Sequence, residues 1–185
     1  MPELLRLDAT ALALIGHDVA MIPDTAMDHA TPCAGWSVAD LVRHMNERHE
    51  AVTTMALPPL DPPAGGGDRD PRFDFARIGA RWITAVDGAG DTVQLPKAGP
   101  MAAEQVLSVH IVDMLTHRWD LARALRRPCP VPQYLLDFAL PVARRINAPG
   151  SPLGGPDGVY REALGEDRTL SAMDNIAALL GRKPR

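Results

Sequence analysis

The chain of 185 residues is 46% hydrophobic, too apolar for a disordered protein and long enough to bury one sizeable core. A formal net charge of −4 gives no general attraction to nucleic acid or to an anionic membrane surface. No stretch approaches the ~20 continuous apolar residues of a membrane span, and two cysteines build no disulfide framework. The expectation is one domain over residues 1–185, cytoplasmic, with no nucleic-acid or membrane partner.

The first element is an amphipathic helix over roughly 3–22, with Leu4, Leu7, Ala11, Leu14, Ile15 and Val19 at helical spacing. Its acidic start and the interruption at His17 and Asp18 separate it from a secretory signal. A second helix opens in "TPCAGWSVADLVRHM", where Ser37 and Asp40 have capping-box spacing, and runs to about Leu57. Its inward stripe is read as Leu41, Met45, Arg48 and Val52. The Pro- and Gly-rich stretch 58–72 reads as a mobile surface loop. A third helix over about 73–87 presents Phe75, Ile78, Trp82 and Val86, and "DTVQLP" (91–96) is a short extended piece. The fourth helix runs from near Met101 to about Arg127, where basic residues and prolines stop it. A shorter helix over about 131–147, disturbed at Pro141, a Gly/Pro loop and a terminal helix from about Leu170 to Leu180 complete the chain. Long helices with little strand argue an all-α, antiparallel four-helix bundle with short additional C-terminal helices.

The fourth helix carries the chemistry. In "SVHIVDMLTHRWDLARAL", His110 and His117 differ by roughly 20° around the axis and Asp113 lies beside them, so all three project from one stripe of an otherwise apolar helix. A carboxylate there needs compensation: a metal ion, a cation from another helix, or a plain Asp–His hydrogen bond. Asp113 and His117, one turn apart, can chelate one ion. His44, flanking the inward stripe of the second helix, is the best third ligand. Two histidines and one carboxylate leave open coordination positions, which fits a catalytic or ligand-binding site better than a closed structural one. A D-x3-H pair also arises by chance, and a buried Asp–His hydrogen bond is the simpler alternative.

The neighbouring polar residues divide similarly. His110 reads as a satisfied core histidine before an extra ligand. His49, roughly 140° around the helix from His44, is placed at the edge of the site or in solvent, and His17 is isolated and structural. Arg48 meets an anionic substrate, balances Asp113, or snorkels at the surface. Asp120 either orients His117 or pairs with Arg123. Trp36 and Trp119 read as packing residues, and Cys33 as an ordinary loop cysteine rather than a nucleophile.

"TPCAGWSVADLVRH" and "DMLTHRWDLARAL" resemble the two signatures of the mycothiol-dependent maleylpyruvate isomerase N-terminal-domain family, within the DinB-like superfamily. The closing "EDRTLSAMDNIAALLGRKP" is similar to the tail of an actinobacterial subgroup in which an apolar helix ends in Gly-Arg-x-Pro. The resemblance implies a DinB-like bundle with a divalent metal, Zn or Ni, on His44, Asp113 and His117. It also implies a low-molecular-weight thiol such as mycothiol as co-substrate. Two departures shape the expectation. The segment after the fourth helix does not look like the isomerases' second domain, and Asp113 stands where those enzymes carry glutamate. Maleylpyruvate isomerisation itself is therefore not expected. What remains is a thiol-dependent transferase or isomerase acting on a small electrophile, with Arg48 orienting substrate. The competing expectation is a non-catalytic ligand-binding or homodimerising bundle.

Overall fold

The computed structural model describes residues 1–58, 69–96, 99–154 and 159–184. Helix α1 (Pro2–Ala20) begins with proline in its first turn and is followed by a 3₁₀ turn over Asp24–Ala26. Helix α2 (Val38–Thr53) starts on the complete capping box: Ser37 accepts from the Asp40 amide while the Asp40 carboxylate accepts from the Ser37 amide. Helix α3 (Pro71–Asp87) is capped by Asp70, whose carboxylate accepts the Arg72 amide at 2.9 Å. Strands β1 (Thr92–Leu95) and β2 (Gly99–Ala102) pair antiparallel with Val93 opposite Met101, and lead directly into α4 (Ala103–Ala124). Helices α5 (Gln133–Ile146) and α6 (Ala172–Leu179) follow.

Side-chain contacts give the directions of the first four helices. Asp8 and Asp18 of α1 reach His110 and Arg118 of α4, so these two run the same way. Asn46 of α2 bonds the Pro71 carbonyl at the start of α3, and Arg81 near its end reaches the Pro58 carbonyl, so α2 and α3 also run together. Trp82 late in α3 meets Asp8 early in α1, and His44 and His49 of α2 meet His117 and His110 of α4 in reverse order. The two parallel pairs therefore oppose one another. The α2–α3 connection makes this possible: residues 54–70 contain enough chain, at roughly 3.3 Å per residue, to return along a helix only ~24 Å long.

The core runs through all the helices, with Ile15, Leu41, Met45, Phe75, Leu107, Ile111, Leu115, Leu135 and Ile176 essentially inaccessible. Each CH₂ so buried contributes about 0.8 kcal/mol. A partly buried ion pair between Arg118 and Asp18 (2.6 Å) ties α4 to the end of α1. Helices α5 and α6 pack on α4 and on each other and extend the core beyond four helices.

The mostly helical expectation is met, with one small hairpin added. Pro71 and Arg72, read as loop, form the first turn of α3, because proline lacks only an amide that the first turn leaves unbonded. The rest of the predicted 58–72 loop lies largely outside the described residues. Pro141 sits inside α5 without ending it. The predicted stripe of α2 holds at Leu41 and Met45, which are buried, and falls one residue out of phase after them: Arg48 is exposed and Val52 half-buried, whereas His49 and Thr53 are buried. No helix among the described residues is long and apolar enough to cross a membrane.

Candidate metal centre and its cavity

The polar stripe of α4 borders a cavity of about 690 Å³. Across from it stand α2 and the turn before it, through Cys33, Trp36 and His44, and the C-terminal segment, through Tyr160 and Arg182. His117 is the centre of this end. Its Nε2 lies 3.5 Å from Asp113 Oδ2 and its Nδ1 3.3 Å from Asp120 Oδ2. The His44 ring meets His117 edge-on with centroids 5.7 Å apart, and rests on Trp36 at 4.6 Å.

Residues beyond α4 hold the two acids of this centre. Tyr160, itself buried, donates its hydroxyl to Asp113 Oδ1 at 2.9 Å. Asp120 is fully buried; its Oδ2 accepts from Arg182 at 3.1 Å and from the Cys33 thiol at 3.3 Å. Its Oδ1 has no partner among the described residues. Arg182 is delivered by Gly181, which ends α6 at φ +79°; a Cβ there would stand 2.5 Å from that of Arg161. Only glycine takes that turn without strain.

Burial alone would lower the His117 pKa, but Asp113, Asp120 and Cys33 together raise it to about 10. Burial pushes both acids the other way; the charge and hydrogen bonds of His117, with Tyr160 and Arg182, hold Asp113 and Asp120 below the usual range. His44 is lowered to about 4, by burial first and then by the charge on His117. It is thus a neutral imidazole at pH 7, the form a metal takes.

Two donor sets share His117. Cys33, His117 and Asp120 offer atoms all within 4.8 Å of one another, close enough to hold an ion, and among the described residues they form the one trio that tight. The other set is His44, Asp113 and His117, in which the His44 ring stands off at 5.7 Å between centroids from His117 and would move inward to ligate. Two donors on one ion, with bonds of about 2.0–2.2 Å, stand roughly 3.0–3.5 Å apart, and the His117–Asp113 separation of 3.5 Å fits this. Arg182 discriminates between the sets. A cation against Asp120 would face a guanidinium already bonded to the same oxygen, whereas among the described residues no arginine or lysine is bonded to Asp113, whose charged neighbour is His117 itself.

The opposite end of the stripe is built differently. His110 donates from Nδ1 to Asp8 Oδ1 at 2.5 Å, and its Nε2 is 2.7 Å from Nε2 of His49. Trp82 donates to the other Asp8 oxygen at 2.8 Å and stacks on His110 at 4.0 Å. His110 is accordingly a satisfied core histidine. His49 corrects the sequence reading: it is neither solvated nor peripheral but 2% exposed, against Phe75 and Trp82. A histidine carries no apolar signal, so the stripe that contains it was assigned to Arg48 instead.

The remaining predicted residues fall plainly. Arg48 is exposed at the cavity rim and has no ion-pair partner among the described residues. Arg123 does not take Asp120 but reaches the Pro184 carbonyl and lies over Trp119. Cys33 is part of the polar cluster rather than an ordinary loop cysteine. His17 is exposed near the end of α1. Trp119 is buried packing, and Trp36 lines the cavity. Asp8, Tyr160 and Arg182 were missed as site residues. The first two stand in unremarkable local sequence, and the Gly-Arg-x-Pro tail was the only signal for the third.

Residues 9–122 match the family model of the mycothiol maleylpyruvate isomerase N-terminal domain. The chain belongs to this family. Two uncharacterized proteins of Mycobacterium tuberculosis, from strains CDC 1551 and H37Rv, are each 30% identical to it over 156 residues, covering 84% of this chain and 84% of the relative. These mycobacterial relatives fit the actinobacterial subgroup. No solved structure matches the chain significantly. The family match ends at the close of α4, so Tyr160 and Arg182 lie outside the matched region.

Proposed function

We propose that this member of the family is a metal-dependent enzyme that joins a low-molecular-weight thiol to a small electrophile, or isomerises that electrophile through the thiol. His44, Asp113 and His117 would hold a divalent ion, Zn²⁺ or Ni²⁺. The observation that carries the reading is the fixing of His117 from behind. Its Nδ1–H points at Asp120, itself tied to Arg182, and its Nε2 faces Asp113 on the cavity side, where an ion would take the place of the proton between them. A carboxylate behind a ligating histidine fixes its tautomer and raises its basicity.

A bound ion would act as a Lewis acid and lower the pKa of a sulfhydryl that joins it. The chain's own residues do the rest. Tyr160 restricts Asp113 to one free oxygen, Trp36 supports the His44 ring, and the apolar cavity wall excludes water from the sulfur. Arg48 at the rim meets the negative charge of an anionic substrate.

Elemental analysis of the purified chain tests the proposal. About one equivalent of Zn or Ni is expected, lost in His117→Ala with helical circular dichroism retained and kept in Cys33→Ser. Metal retained in His117→Ala, or lost in Cys33→Ser alone, overturns the ligand set. Protein that takes up no metal after reconstitution overturns the function.

A further inference from the structure

The cavity has a second polar end that the metal reading does not use. Asp8, His110 and His49 form one hydrogen-bonded line from α1 through α4 to α2, at 2.5 and 2.7 Å. All three are at least nine-tenths buried. Both imidazoles border the cavity, and the line stops at His49 Nδ1, a buried atom with no hydrogen-bond partner. Native proteins rarely leave such an atom unpaired without a use for it.

The proton positions follow from the chemistry of the partners. A carboxylate accepts, so His110 carries its hydrogen on Nδ1 and is an acceptor at Nε2. His49 must then donate from Nε2, which leaves Nδ1 as a bare, basic nitrogen. We infer that Asp8, His110 and His49 are a proton-accepting relay, with His49 Nδ1 the base that receives a proton from a protic small molecule, a thiol or hydroxyl compound, bound in the cavity. His49 is the catalytic group; His110 and Asp8 are positioning residues.

The step balances. The ligand's X–H bond breaks and its proton bonds His49 Nδ1, while the electron pair stays on X. The hydrogen on His49 Nε2 passes to His110 Nε2. Positive charge then rests on His110, where Asp8 lies 2.5 Å away and the Trp82 face 4.0 Å away, rather than on His49. This matters because burial first, and His110 second, hold the His49 pKa well below its ordinary value. The titratable groups around His49 are Asp8 and His110 on this side and His44, Asp113 and His117 on the other. Its α3 neighbours, Phe75 and Trp82, carry no charge. The inference stands apart from the metal reading, because neither test below involves a metal.

Trp82 makes Asp8→Asn a directional probe. The indole can only donate, so it selects the oxygen of the new amide, and the NH₂ must face His110. His110 is then forced to carry hydrogen on Nε2 and His49 on Nδ1, which inverts both rings. Imidazole ¹⁵N NMR on the full chain reads the tautomers, and diethyl pyrocarbonate with peptide mapping reads the nucleophilicity of each ring. In the wild type, His49 is expected as the Nε2–H tautomer and to be acylated on Nδ1. Asp8→Asn should invert both tautomers and slow acylation of His49 about tenfold or more, while exposed His17 and His29 react unchanged. If Asp8→Asn does not fold, His110→Gln should give the same slowing. A wild-type His49 that bears hydrogen on Nδ1, or that stays unmodified when His17 and His29 have reacted fully, overturns the relay. So does a folded Asp8→Asn or His110→Gln protein with the wild-type rate at His49.

Discussion

The two ends of the α4 stripe are made of the same residue types, yet they are opposite kinds of site. At one end, His110 sits between Asp8 and His49, stacked on Trp82, with Phe75 against His49, and every member is at least nine-tenths buried. At the other, His117 sits between Asp113 and Asp120, and Asp113 keeps 28% of its side chain exposed on the cavity. The helix presents a histidine to each. What differs is the element across from it: α1 and α3 at the closed end, the C-terminal segment at the open one. An Asp–His pair that is almost wholly buried is structural or relays protons. The same pair facing a cavity has room for a ligand.

That contrast can be broken by substitution. The largest effect on stability is expected from Asp8→Ala, which strands the Trp82 and His110 donors in the core and should cost about 3 kcal/mol in denaturant unfolding. Asp113→Ala should cost less than half of that, because its surroundings open to the cavity; equal costs would erase the distinction between the ends. Next comes Tyr160→Phe, which frees one oxygen of Asp113. Loss of a group that holds a ligand in place typically lowers metal affinity 10–100-fold, and about tenfold is expected in a competition titration, with unfolding changed by about 1 kcal/mol.

Ser37→Ala should act on both ends alike. It removes the cap of the helix that carries His44 and His49, at about 1 kcal/mol, without altering metal stoichiometry. The smallest effect belongs to Arg48→Gln: stability within about 0.5 kcal/mol of wild type, but weaker retention of anionic relative to neutral electrophiles in a binding assay. Unchanged discrimination would remove Arg48 from substrate orientation.

Much of this was legible in the sequence where the physics is local. Ser37 and Asp40 name the start of α2 because a capping box involves four consecutive residues. Phe75, Ile78, Trp82 and Val86 name the inner face of α3 because a helix repeats every 3.6 residues. Where the signal was not local, the reading failed. Arg48 was put on the inner face of α2 and His49 outside it, because no periodicity of apolar residues registers a histidine whose partner is on another helix. Asp8 carries no local signal that separates it from a surface residue of an amphipathic helix, and it is 1% exposed.

The sequence by itself determined the helices, the cap of α2, the family, and the placing of His110, Asp113 and His117 on one stripe, since each depends on residues within a few turns of one another. Only the tertiary structure decided what each of those side chains faces. Asp8 meets His110 across 102 positions, Tyr160 meets Asp113 across 47, and Arg182 meets Asp120 across 62. Contacts at such separations arise from how helices pack and where a glycine such as Gly181 turns the chain, and neither is written in the spacing of the residues that touch.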